Sequence, residues 1–163
     1  VARLLHYSAQ SIVGKQIYTR TAECAVEIKP HGLWVSVEGP DDWKSWCEAE
    51  AWGLDHLRAV AEIVVRPDAA ILRLSCPAEI DRFHAEFTAP LYPGERSGFG
   101  VDWRRVAETY SGIVIAPYQW SRRLDGNARW YYAWDCASGC IWDASAIAEI
   151  RQAEIRRAEA EPR

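Results

Sequence analysis

The chain lacks most of the short motifs that announce a chemistry. It has no G-x-x-x-x-G-K-[ST] and no G-x-G-x-x-G, so the standard phosphate-cradling loops are excluded. It has no H-E-x-x-H and no G-x-S-x-G, which removes the common zinc-protease and serine-hydrolase signatures. No apolar run approaches the roughly 20 residues of a membrane-spanning helix. There is no internal repeat, low-complexity block or long linker. Methionine is absent altogether. The five cysteines, Cys24, Cys47, Cys76, Cys136 and Cys140, are odd in number and irregular in spacing. They read as reduced thiols rather than a disulfide framework. Cys136 and Cys140 lack two further ligands at a metal-binding spacing, because His31, His56 and His84 are scattered, so no metal is expected. Residues 1–15 lack a signal-peptide layout, and the expected address is the cytoplasm, with no membrane partner.

What is present is ordinary in bulk and unusual in detail. At 163 residues the chain is about one domain, able to bury roughly 70% of its unfolded surface without crosslinks. Apolar residues make up 49% and charged residues 26%, which excludes wholesale disorder and rod-like folds. Nineteen basic against 23 acidic residues give a net charge of −4, against a nonspecific nucleic-acid or membrane binder. Nine tryptophans exceed the needs of one small core, and indoles often line ligand sites.

The pattern along the chain predicts strands at 3–8, 33–37, 60–65, 70–74 and 112–116. It predicts helices at 42–52, 77–87 and 102–110, with an N-cap offered by Gly39-Pro40-Asp41-Asp42, Asp102 capping the third, and Pro77 in a first turn. Residues 11–29 read as a loop. Residues 88–100 read as the longest loop, a common place for function. Residues 130–136 and 139–142 read as strands or one bulged strand. Residues 144–161 read as an exposed charged helix that follows a domain spanning 1–143. Strands outnumber helices, so the expected class is α+β in a single domain.

Three segments in order carry a likeness. Leu4-Leu5-His6-Tyr7-Ser8 places a histidine two residues before a serine. Gly32-Leu33-Trp34-Val35-Ser36 is a strand entered from a glycine and followed by a helix with Trp43, Trp46 and Trp52. Ser138-Gly139-Cys140-Ile141-Trp142-Asp143 is a late strand. Together they resemble the three core motifs of the ADP-ribosyltransferase superfamily, which includes poly-ADP-ribose polymerases and diphtheria-like toxins.

The resemblance implies two small mixed β-sheets with flanking helices, and NAD as the substrate. It implies that His6 and Ser8 anchor the ribose, and that the backbone of Tyr7, where the family usually has glycine, grips the nicotinamide carboxamide. It implies an aromatic face for the ring, with Trp34 first and Tyr7 or Tyr18 as alternatives, and contributions from Gly32, Ser36 and Trp43. The family's catalytic glutamate corresponds to Ser138. The group beside the developing sugar cation is then Asp135, or Ser138 with a water. The implied activity is ADP-ribose transfer from NAD to a protein or nucleic acid. Tyr92 and Arg96 of the long loop would face the acceptor, and Arg122, Arg123 and Arg129 would contact phosphate. Two other readings stay open: a binding module that kept the fold without the chemistry, and an RNA 2′-phosphotransferase-like enzyme using the arginines. Each residue also has a plainer role. His6 on an apolar strand is equally a satisfied core histidine. The helix tryptophans suit a core stripe. Asp143 suits an N-cap, and Arg122-Arg123 a solvated face.

Overall fold

The computed structural model describes residues 2–17, 26–92, 94 and 99–154. Strands β1 (Leu4–Ser8), β2 (Leu33–Val37), β3 (Ala59–Val65), β4 (Ile71–Leu74), β7 (Gly112–Ile115), β8 (Ser138–Ile141) and β9 (Ile147–Gln152) form one sheet. Its order is β4-β7-β8-β2-β1-β3-β9. Only β4 and β7 pair in parallel; every other neighbour is antiparallel. A separate two-stranded ribbon joins β5 (Thr88–Pro90) to β6 (Phe99–Val101). The class is therefore α+β in a single domain. Where two small mixed sheets were expected, there is one mixed sheet of seven strands and a short antiparallel ribbon.

Three of the helices follow their sequence signals. In α1 (Trp43–Glu50) the Asp42 carboxylate accepts from the Ser45 N–H at 2.8 Å and satisfies a first-turn donor. α2 (Pro77–Phe87) begins on proline and buries Ile80, Phe83 and Phe87 along one stripe. α3 (Trp103–Ala107) is capped by Asp102, and α4 (Trp120–Arg123) is a single turn. α2, α3 and a 3₁₀ segment (Gly126–Ala133) cover one face of β4, β7 and β8. The core there is largely aromatic, with Phe83, Trp103, Trp130, Tyr131, Trp134 and Trp142 packed together. The opposite face carries an aliphatic cluster that includes Leu33, Val35, Ile63, Val114 and Ile141.

Further sequence expectations are overturned, the first at the ends of the 88–100 loop, where β5 and β6 pair. Residues 130–136 are not a strand: 130–133 belong to the 3₁₀ segment and 134–136 lead into β8. Trp130, Tyr131 and Trp134 are buried while Tyr132 is exposed, an i, i+1, i+4 pattern of helical type. Their β-favouring side chains reflect burial among other rings rather than pairing in a sheet. The charged helix expected from 144 is also absent over its described part. Ala144–Ala146 is a 3₁₀ turn capped by Asp143, and β9 follows as an edge strand against β3. Ile63 faces Ile150 and Val65 faces Ile147, so cross-strand apolar pairs outweigh the helix-favouring charges. The 1–143 boundary therefore does not close the fold, because β9 belongs to the same sheet. The remainder of that expected helix, 155–161, lies outside the described residues.

Close approach fixes the centre of the sheet. A Cβ on Gly139 would stand 2.4 Å from the Ile113 carbonyl oxygen. One on Gly32 would stand 2.5 Å from the Ile141 carbonyl oxygen. Glycine at both positions lets β8 lie tightly between β7 and β2.

Candidate functional site

The three motif strands are neighbours, in the order β8-β2-β1. The β1–β2 ladder is short, pairing only Leu4 with Val37 and Leu5 with Ser36. Beyond it the Trp34 carbonyl is bonded by a side chain instead: His6 Nδ1 lies 2.8 Å from it. A carbonyl only accepts, so Nδ1 carries the proton, and in the neutral ring Nε2 is left as an acceptor.

The register also orients Tyr7. The Val60 carbonyl accepts from the Ala153 N–H, on the β9 side of β3. Tyr7 and Val60 are therefore a non-hydrogen-bonded pair, and the Tyr7 N–H and C=O turn away from β3 toward the gap beside β2. Arg3 obeys the same parity, since its carbonyl accepts from Glu38 across that edge.

A cleft of about 300 Å³ opens at this gap. His6, Tyr7, Trp34, Ser36, Trp43, Asp135 and Ser138 all line it. These residues come from β1, β2, α1, the approach to β8 and the start of β8 itself, and the sequence reading had singled out each of them. Trp34 packs edge-on to Trp134 with ring centroids 5.0 Å apart. Trp43 stacks on Trp46 at 5.0 Å and meets Trp52 edge-on. The buried Ser36 hydroxyl accepts from the Trp43 N–H at 2.8 Å, which ties the start of α1 to β2. The buried Ser138 hydroxyl donates to the Cys136 carbonyl at 3.0 Å. Asp135 is half-buried, and its Oδ2 lies 3.8 Å from Lys29 Nζ. The Lys29 ammonium also sits 5.2 Å from the centroid of the Trp34 ring.

No family model, curated protein or solved structure matches this chain.

The cleft's chemistry must therefore be read from its own groups. Indole faces, one carboxylate and an imidazole acceptor suit a planar cation joined to a hydroxylated group. Thiolate chemistry is disfavoured. Burial pushes the Cys136 thiol up to about 12, and burial also raises the buried Cys140 thiol. Burial and nearby carboxylates raise Cys47 to about 11. Burial, reinforced by Asp42 and Glu38, raises the Tyr7 phenol to about 12 and keeps it protonated. Among the described residues no group of three or more His, Cys, Asp or Glu is arranged to hold a metal ion.

Some candidates are elsewhere. The Ser8 hydroxyl donates to the Gln10 carbonyl at 2.7 Å and is not part of the cleft lining. Gly32 serves the β2–β8 contact rather than the cleft. Arg122 is held by both oxygens of Asp81, at 2.7 and 2.6 Å. Arg123 lies over the Trp120 and Tyr132 rings. Neither these two arginines nor Arg129 line the cleft. Tyr92 lines a shallower adjoining recess of about 590 Å³, which shares Lys29 and Trp34 with the cleft. Arg96 and Tyr18 lie outside the described residues. The sequence reading missed Lys29, His56 and Trp134. Lys29 stands outside the three motif segments and carried no signal of its own. His56 and Trp134 had none at the level of motif.

Proposed function

We propose that the chain is an NAD-dependent ADP-ribosyltransferase that breaks the bond between nicotinamide and ribose. One observation carries the reading. The three segments that resemble the superfamily's motifs are adjacent strands, and His6, Trp34 and Asp135 meet at one cleft over the gap between two of them. Further support comes from Tyr7, whose backbone donor and acceptor turn toward that gap as a carboxamide would require.

In this reading the pyridinium stacks on Trp34, and its carboxamide pairs with the Tyr7 N–H and C=O. His6 Nε2 accepts from a ribose hydroxyl. As the C1′–N bond lengthens, its electron pair leaves with nicotinamide and positive charge builds on the sugar. The Asp135 carboxylate stabilises that charge across the cleft. A nucleophile on the acceptor, or water, then bonds to C1′ and releases its proton. A cleft of about 300 Å³ sits at the small end of ligand sites and suits the nicotinamide-ribose half. The phosphates and adenosine would run over its mouth.

The second reading, a binding module without catalysis, is favoured by one feature. The residue at the family's glutamate position is Ser138, and its hydroxyl is already committed to the Cys136 carbonyl. Nicotinamide release from NAD separates the two. The transferase reading expects release by the wild type and its loss in Asp135→Asn with NAD binding retained. Binding without release supports the module. No binding at millimolar NAD overturns both.

A further inference from the structure

We propose that Lys29 is a specificity-determining residue that makes the cleft select phosphorylated pyridinium nucleotides over the free nucleoside. The inference rests on the NAD reading above and deepens it. Its ground is a competition visible in the geometry. The Lys29 ammonium lies over the Trp34 ring, 5.2 Å from its centroid, and 3.8 Å from Asp135 Oδ2. Those are the aromatic face and the carboxylate that a ligand cation would use. One indole face and one carboxylate serve one cation well. A second positive charge at the same place is repelled, so the pyridinium and the ammonium exchange rather than coexist.

The lysine is built to move. Its side chain is 44% exposed on a long unbranched stem, so leaving Trp34 costs little packing. It also stands where the cleft and the adjoining recess meet, because both are lined by Lys29 and Trp34. In the NAD reading, phosphates that leave the cleft for the adjoining recess would pass that junction. A phosphate there gives the displaced ammonium a stronger partner than the one it gave up. A nucleoside without phosphate displaces Lys29 and offers nothing in return.

The test is calorimetric titration of nicotinamide riboside and nicotinamide mononucleotide into the wild type, Lys29→Ala and Lys29→Arg at low salt. The wild type prefers the mononucleotide by about thirtyfold. Lys29→Ala tightens riboside binding about threefold, the scale of an exposed cation–π contact, and weakens mononucleotide binding about tenfold, the scale of a hydrogen bond between charged groups. The preference then nearly vanishes. Lys29→Arg keeps the wild-type order. Equal changes for both ligands in Lys29→Ala, or a surviving preference, overturn the role of Lys29 and leave the NAD reading standing. Failure of the wild type to bind either mononucleotide or NAD at millimolar concentration overturns both.

Discussion

His6 offers the sharpest separation of a structural role from a functional one. Its Nδ1–H bonds the Trp34 carbonyl at 2.8 Å, and its Nε2 faces no such demand. An asparagine at this position can place its amide NH₂ near Nδ1 but has no group near Nε2. His6→Asn should therefore keep the bond that ties β1 to β2, and His6→Ala should lose it. A neutral hydrogen bond contributes about 1 kcal/mol net, and truncating the half-buried ring adds a few tenths, so alanine costs about 1.5 kcal/mol. For a chain of this size that is a fall in Tm of about 3–6 °C. Asparagine should stay within about 0.5 kcal/mol of the wild type. Both variants lose the acceptor for the ribose, which weakens NAD binding about tenfold. Thermal melts and NAD calorimetry on the same two proteins read both effects. Equal destabilisation by asparagine and alanine would refute the Nδ1 assignment. Wild-type NAD affinity in His6→Asn would refute the role of Nε2.

Three further outcomes follow from the same geometry. Gly139→Ala forces a Cβ to within 2.4 Å of the Ile113 carbonyl, so it should cost about 3 kcal/mol, seen in urea melts; a shift under 1 kcal/mol would mean that β8 does not pack against β7 so closely. Native thiol labelling mapped by mass spectrometry should modify Cys76 well before Cys47, Cys136 or Cys140, because those three are buried and their thiols raised, and rapid labelling of Cys136 would contradict its burial. The Asp143 carboxylate is held below its usual range by bonds from Ser145 and Ser111, so it stabilises the fold above the unfolded value of about 3.9 and loses that contribution as pH falls through its lower folded value. Acid melts of Asp143→Asn should show a flatter pH dependence below pH ~4 than the wild type, and identical slopes would exclude this linkage.

The sequence carried the elements whose local signal and tertiary role agree. β2 runs over Leu33–Val37 and α2 over Pro77–Phe87, as the β-branched run and the proline-led apolar stripe indicate. Asp102 caps α3 as expected, and within the Gly39-Pro40-Asp41-Asp42 segment it is Asp42 that caps α1. The failures share a cause. In 130–134 and 147–152 the local composition favours one structure, and contacts from distant segments impose another. Trp130 and Tyr131 turn inward because Phe83, Trp103 and Tyr118 wait there. Ile147 and Ile150 pair with β3 because its edge is open to them. Within the cleft, His6, Trp34 and Asp135 stood out by type and order. Lys29 did not, because its meaning lies in sitting over Trp34 and beside Asp135, which are 5 and 106 positions away in sequence.

The most direct measurement is a crystal structure of the protein with NAD. The pyridinium should lie on Trp34, its carboxamide on the Tyr7 N–H and C=O, a ribose hydroxyl within hydrogen-bonding distance of His6 Nε2, and Asp135 beside C1′. A dinucleotide seated away from the β1–β2 gap, or a cleft still without one at millimolar NAD, would contradict the assignment of this chain to NAD chemistry.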